Sequence, residues 1–191
     1  VDMAENKVKY GLKNVHYAVL TEADGDVTYA TPVAIPGAVN LSLSAQGDET
    51  KFYADNGAYY VTAANDGYSG DLEIALLPDS FREDILGENM DTTAKVLTEN
   101  ANTEPKAFAL LFEFDGDQKA TRHVLYNCKA TRPTMASQTT NSAKEPNTDT
   151  LTITASPLAN GNVKAKTTSE TTESVYSGWY GNVWMPSEGG A

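Results

Sequence analysis

The stretch that decides the fold is Phe108-Ala109-Leu110-Leu111-Phe112-Glu113-Phe114-Asp115-Gly116-Asp117, followed shortly by Arg122-His123-Val124-Leu125-Tyr126-Asn127-Cys128-Lys129. Phe108, Leu110, Phe112 and Phe114 are spaced by two, with Glu113 between the last pair. Val124, Tyr126 and Cys128 alternate with Leu125, Asn127 and Lys129. A period of two puts one set of side chains on a buried face and the other toward solvent, as in antiparallel sheets. Asp115-Gly116-Asp117 lies between the two runs and reads as a turn.

The same rhythm recurs outward in both directions. Val39, Leu41 and Leu43 alternate with Asn40, Ser42 and Ser44, and Leu72, Ile74 and Leu76 with Asp71, Glu73 and Ala75. Leu151 and Ile153 alternate with Thr150, Thr152 and Thr154. The chain holds 22 threonines, a β-branched type suited to half-buried pleated surfaces. Asp24-Gly25-Asp26 and Asp66-Gly67 supply further turns. The expectation is a mainly β protein, an antiparallel β-sandwich.

One segment breaks the pattern. Pro78-Asp79-Ser80-Phe81-Arg82-Glu83-Asp84-Ile85-Leu86-Gly87 starts on a proline suited to a first helical turn, places Asp79 near the positive end of the helix dipole, and ends on a glycine. Phe81 and Ile85, four apart, would face the sheet together. The spacing predicts one short flanking helix near 78–87.

Three stretches read as loose. Residues 45–58 form a long polar loop that nevertheless carries Lys51, Phe52, Tyr53 and Asp55 and leads into Tyr59-Tyr60. Residues 136–149 are poor in apolar groups. Residues 167–191 begin with a Thr/Ser/Glu run and end with Tyr176, Trp179, Tyr180, Val183 and Trp184. Their spacing suits one helical face, though Gly178 and Gly181 weaken it. Long loops with aromatics in a compact domain tend to be functional, so residues 45–58 and the C-terminal aromatics read as contact arms. The plainer reading is that these aromatics fold back onto the sandwich. The division expected is a β-sandwich domain over 1–166 and a C-terminal extension over 167–191.

At 191 residues the chain has the length of one domain. Its 40% hydrophobic content permits a real core, and no apolar run approaches the roughly 18 residues of a membrane span. No membrane partner is expected. The N-terminus opens with mixed charge, without a basic stretch and apolar run, so no signal peptide is expected. Val1-Asp2 before Met3 reads as an expression scar, with Met3 the natural start. A single cysteine makes no internal disulfide.

The net charge of −12 argues against ordinary nucleic-acid or anionic-membrane binding. That charge is unevenly spread. Residues 14–118 hold 19 acidic and four basic side chains, whereas residues 119–166 hold seven basic and two acidic. Either the two portions present complementary surfaces to copies of the chain, or both intermix on one folded surface.

Catalytic chemistry has no foothold in the pattern. His16 and His123 lie in strand-like runs without a Cys or second His at ligand spacing and read as structural. Cys128 alternates with apolar neighbours and reads as a small core residue. No serine sits in a G-x-S-x-G elbow, and neither Asp-Gly-Asp turn continues as a calcium loop. There is no P-loop or dinucleotide fingerprint. No enzyme activity, cofactor or metal is expected.

Several longer strings carry a resemblance. They are Asn6-Lys7-Val8-Lys9-Tyr10-Gly11-Leu12-Lys13-Asn14-Val15-His16-Tyr17-Ala18, Pro32-Val33-Ala34-Ile35-Pro36-Gly37-Ala38-Val39 and Lys51-Phe52-Tyr53-Ala54-Asp55-Asn56. Asn65-Asp66-Gly67-Tyr68-Ser69-Gly70-Asp71-Leu72-Glu73, Pro78-Asp79-Ser80-Phe81-Arg82, Arg122-His123-Val124-Leu125-Tyr126-Asn127-Cys128 and Thr150-Leu151-Thr152-Ile153-Thr154 continue it. Over residues 6–165 the chain resembles the major tail proteins of long-tailed, non-contractile bacteriophages of Gram-positive bacteria, more weakly over 88–104 and over the last 25 residues, to which no assignments carry across.

The resemblance implies a β-sandwich flanked by a helix, and a structural virion protein without catalysis. Such subunits form rings, generally hexamers, that assemble in the host bacterial cytoplasm and stack into the tail tube through which DNA leaves the virion. The implied partners are further copies of the chain, a tape-measure protein, a tail terminator and tail tip proteins, with DNA as non-sticking cargo. An acidic lumen would repel phosphates. Within that picture Lys51, Phe52, Tyr53, Asp55, Tyr59 and Tyr60 are the expected inter-ring contacts, and Tyr176, Trp179, Tyr180 and Trp184 a C-terminal contact. The rival from another class is a monomeric immunoglobulin-like or carbohydrate-binding sandwich, which exposed Tyr59, Tyr60, Trp179 and Trp184 would serve equally well.

Overall fold

A computed structural model describes residues 5–139 and 146–187, apart from the side chain of residue 58. The expression-scar reading of Val1-Asp2, and part of the loose stretch 136–149, lie outside the described residues. The strands are β1 (Lys9–Ala23), β2 (Asp26–Tyr29), β3 (Val33–Ala34), β4 (Ala38–Gln46), β5 (Glu49–Ala54), β6 (Gly57–Ala63) and β7 (Gly67–Ile74). After helix α1 (Asp79–Asp84) come β8 (Asn89–Met90), β9 (Leu97–Thr98), β10 (Phe108–Gly116), β11 (Thr121–Ala130), β12 (Asp149–Ala155), β13 (Lys164–Lys166) and helix α2 (Glu173–Ser177). Among the described residues no helix is long and apolar enough to cross a membrane.

Nine strands join in one antiparallel sheet, ordered β2-β1-β10-β11-β12-β7-β4, with β3 on β1 and β13 on β11. The sheet closes over itself as a sandwich. Val15 and Tyr17 of β1, Phe108, Leu110 and Phe112 of β10 and Leu125 of β11 share one apolar cluster with Leu72 and Ile74 of β7 and Leu151 and Ile153 of β12. Helix α1 adds Phe81 to that cluster, and Ile85 and Leu86 follow it directly. Phe81 meets Tyr17 and Phe108 edge-on, at 5.1 and 5.5 Å between ring centroids. The Tyr17 hydroxyl donates to Asp84 at 2.7 Å, tying the helix to β1.

The deciding strand is buried more completely than simple alternation requires. Phe108, Leu110 and Phe112 enter the sandwich interior, while Ala109 and Leu111 join a second cluster on the opposite face with Ala18, Val124, Tyr126, Leu158 and Trp179. Small side chains on that second face leave room for a covering layer.

That layer is residues 167–187, the stretch read from sequence as an extension. It crosses β10 and β11, with Val175, Tyr180, Val183 and Met185 packed against the second cluster. A second short helix, α2, lies within it.

The long loop expected over residues 45–58 is corrected by the structure. Ala45 and Gln46 finish β4, and the remainder forms most of a two-stranded antiparallel ribbon, β5–β6. The reason lies in its tip. Asp55 and Asn56 both adopt positive φ, 50° and 63°, between the paired residues Ala54 and Gly57. Such a two-residue turn twists with the strands it joins, and Asp and Asn tolerate its backbone best after glycine. Asp24-Gly25 does the same between β1 and β2, with φ of 54° and 87°.

Candidate assembly surface

The β5–β6 ribbon prolongs the β4–β7 pair beyond the body of the sandwich. Backbone hydrogen bonds carry the ladder across the junction: Asp66 N donates to Gln46 O and Ala64 N to Asp48 O, each at 3.0 Å. Gly47 sits at this root with φ 141°, and a methyl group there would lie 2.0 Å from the Ala64 carbonyl oxygen. Only glycine fits, so the chain can bend here while its partner strand stays close.

Beyond the root, every ribbon residue whose burial is described is exposed except Ala54, which is half-buried. Phe52 faces Tyr60 across the ladder and Lys51 faces Val61, with a bulge beside Tyr53. Alternation sends Phe52 and Tyr60 to one side and Lys51 and Val61 to the other. Phe52, Tyr53, Tyr59 and Tyr60 retain 60%, 66%, 73% and 62% of their full exposure. Lys51 pairs with Glu49 at 3.5 Å, and Asp55 occupies the turn. The structure therefore gathers all six residues assigned from sequence to this contact onto one projecting element. A two-stranded ribbon with neither face covered is marginal in water, and its large aromatics lie exposed on both faces, without a covering partner among the described residues.

The four C-terminal aromatics lie elsewhere and differently. Trp179 is only 3% exposed, and its indole N–H donates to the His123 carbonyl at 3.3 Å. Trp184 stacks on it at 6.3 Å and keeps 38% exposure, while its carbonyl accepts from the Tyr126 hydroxyl at 3.1 Å. Tyr180 stacks on His16 at 4.5 Å, and its hydroxyl donates to Glu113 at 3.2 Å. Tyr176 donates to the Ala120 carbonyl at 2.9 Å, and the Arg122 guanidinium lies 3.9 Å over its ring.

Sequence reasoning missed the clamp beneath this segment. Glu113, 5% exposed, accepts from Arg122 Nε at 3.0 Å and from Asn14 at 2.7 Å in addition to Tyr180. Arg122 also donates to the Tyr176 carbonyl, so one guanidinium bridges β10 and the covering segment. Burial first, then the Glu113 charge, pushes the Tyr180 phenol well above its ordinary range and keeps it a donor. The available signal is Glu113 itself, a carboxylate inside the apolar run Phe108–Phe114. A buried carboxylate demands a cationic or hydrogen-bonding partner.

The remaining ionisable groups have structural surroundings. Burial raises the Cys128 thiol to about 12, leaving it un-ionised at neutral pH. Among the described residues no group of three or more His, Cys, Asp or Glu side chains converges on a point. A depression of about 240 Å³ between the N-terminal residues and β13 is lined by Lys119, Thr121, Lys166 and Thr167. No protein-family model matches the chain, and no curated protein matches it.

Proposed function

We propose that this protein is a structural subunit that assembles with copies of itself into stacked, hexameric rings, forming the tail tube of a long-tailed bacteriophage. The observation that carries the reading is the β5–β6 ribbon, which holds Phe52, Tyr53, Tyr59 and Tyr60 in water with no cover from the described residues. Covering what each of those side chains still exposes against a neighbour returns on the order of 1 kcal/mol. The sheet edges support the same reading: among the described residues β2 and β4 end the sheet, and an unpaired edge can accept a strand from another copy. The string resemblance over residues 6–165 supplies the rings, the tube and the virion tail as the setting. Tape-measure, terminator and tip proteins are then the other partners, and DNA the cargo.

A concentration series viewed by negative-stain electron microscopy, with light scattering on a sizing column, tests the reading. Wild-type protein should give annular particles or hollow tubes of uniform width, seeded by tail tips where nucleation is slow. F52S/Y53S should remain a folded monomer under the same conditions. Unchanged tubes from F52S/Y53S would remove the ribbon from the assembly contact. A strict wild-type monomer, concentrated and seeded, would favour the monomeric binding module.

A further inference from the structure

A second surface complements the ribbon in charge. Lys166 pairs with His123 and Lys164 with Leu125 in the β11–β13 ladder. The His123 ring stacks on Phe112 at 5.1 Å and meets Phe114 at 5.2 Å. The Lys9 ammonium lies 5.3 Å over Phe114, and that of Lys164 lies 4.7 Å over Tyr68. Three lysines from β1 and β13 thus gather around one aromatic floor. Lys9, Lys164 and Lys166 are exposed at the surface or at its margin, and none has a carboxylate partner within 4.0 Å among the described residues. Burial, together with the charges of these lysines, lowers His123 to about 4, so the imidazole itself stays neutral at physiological pH.

We propose that this Lys9–Lys164–Lys166 patch is the docking site for the acidic, aromatic β5–β6 ribbon of a second copy. The inference rests on the self-assembly reading and adds where the ribbon lands. The ribbon and its root carry Asp48, Glu49 and Asp55 against Lys51 alone, and Lys51 is already engaged by Glu49. Exposed lysines over half-buried aromatic rings suit such a partner, because their ammonium groups can meet both its carboxylates and its ring faces. A nucleic-acid partner fits less well. Nucleic acid needs a run of cationic contacts along its backbone, and three lysines on a chain of net charge −12 do not supply one, whereas they suffice for the few carboxylates of a ribbon. The patch lies near the ribbon's own root, since Tyr68 follows Gly67, which pairs with Gln46. The ribbon nevertheless stands exposed, so the contact is between copies.

Charge exchange tests this. K9E/K164E/K166E should weaken self-association about a hundredfold, as like charges are brought together at the contact. D48K/E49K should do the same. An equimolar mixture of the two variants should assemble, because each then offers the partner the other needs. Wild-type assembly should also weaken as salt rises. Thermal melting close to wild type shows that both variants are folded. Assembly of K9E/K164E/K166E at wild-type concentration would overturn the docking site and leave the assembly reading intact. Two folded, assembly-deficient variants that fail to rescue each other would overturn the pairing of these two surfaces. Retention of duplex DNA by wild type but not by K9E/K164E/K166E, without loss of assembly, would reassign the patch to nucleic acid. A wild type that never associates would overturn both readings.

Discussion

The β5–β6 ribbon and the C-terminal segment 167–187 have similar composition and opposite fates. Each is a polar stretch with several large aromatics, and from sequence each reads as an arm seeking a partner. The C-terminal segment finds its partner within the chain, on the outer face of β1, β10 and β11, where Ala18, Ala109, Leu111 and Val124 leave a shallow apolar bed. The ribbon projects past the end of the sandwich, where the described residues provide no bed. Aromatic content therefore marks a contact without specifying whether it lies inside the molecule or outside it. What decides is the geometry of the root: Gly47 prolongs a sheet edge outward, whereas Thr167 leaves β13 with its N–H bound to the Arg122 carbonyl and turns across the sheet.

The comparison breaks most sharply on stability. Trp179→Ala should cost about 4 kcal/mol by removing a buried indole from the second cluster, read as a lowered midpoint in urea or heat. F52S/Y53S should change the melting of the dilute monomer by no more than about 0.5 kcal/mol, since both side chains are exposed. Equal losses from the two would erase the distinction between an internal and an external contact.

A smaller effect tests the clamp. Arg122→Ala leaves the buried Glu113 carboxylate without its cation and should cost about 3 kcal/mol. It should also expose the chain after residue 166 to limited proteolysis. R122A/E113Q should recover part of the loss, because no unpaired charge remains buried. Identical stability and protease resistance in R122A and wild type would mean that apolar packing alone holds the segment.

A third effect is acid sensitivity in the body of the domain. His123 is lowered from 6.5 to about 4 by burial and neighbouring lysines. Below pH 6.5 the unfolded chain takes up a proton that the folded one resists, so stability falls as pH drops from about 6.5 to about 4 and levels off below. His123→Gln should remove that part of the slope while leaving the slope due to carboxylates. A His123→Gln profile parallel to wild type throughout the window would place the acid sensitivity in other groups.

Several elements were legible because their causes are local. The alternation of Phe108, Leu110 and Phe112, of Leu72 and Ile74, and of Leu151 and Ile153 marks strands that the structure contains. Pro78, Asp79 and Gly87 bracket a helix found at Asp79–Asp84. Asn56-Gly57 is a strong turn signal, but the ribbon is not legible as strands because its residues do not alternate apolar with polar. That alternation needs one buried face, and the ribbon has none. Glu113 and Arg122 could be seen individually, but their pairing depends on the β10–β11 register, which sets them opposite one another.

By itself, then, the sequence determined the strand class, the flanking helix, the acidic bias and the aromatic segments, since each follows from side-chain type and spacing over a few residues. Tertiary structure alone decided that Trp179 is core while Phe52 is surface. It also brought Lys9 to Lys164 and Lys166 around His123, and gave the outer face of β10 a cover. Those outcomes depend on which residues distant in the chain become neighbours. Burial and local charge are properties of that neighbourhood, which no single stretch of sequence contains.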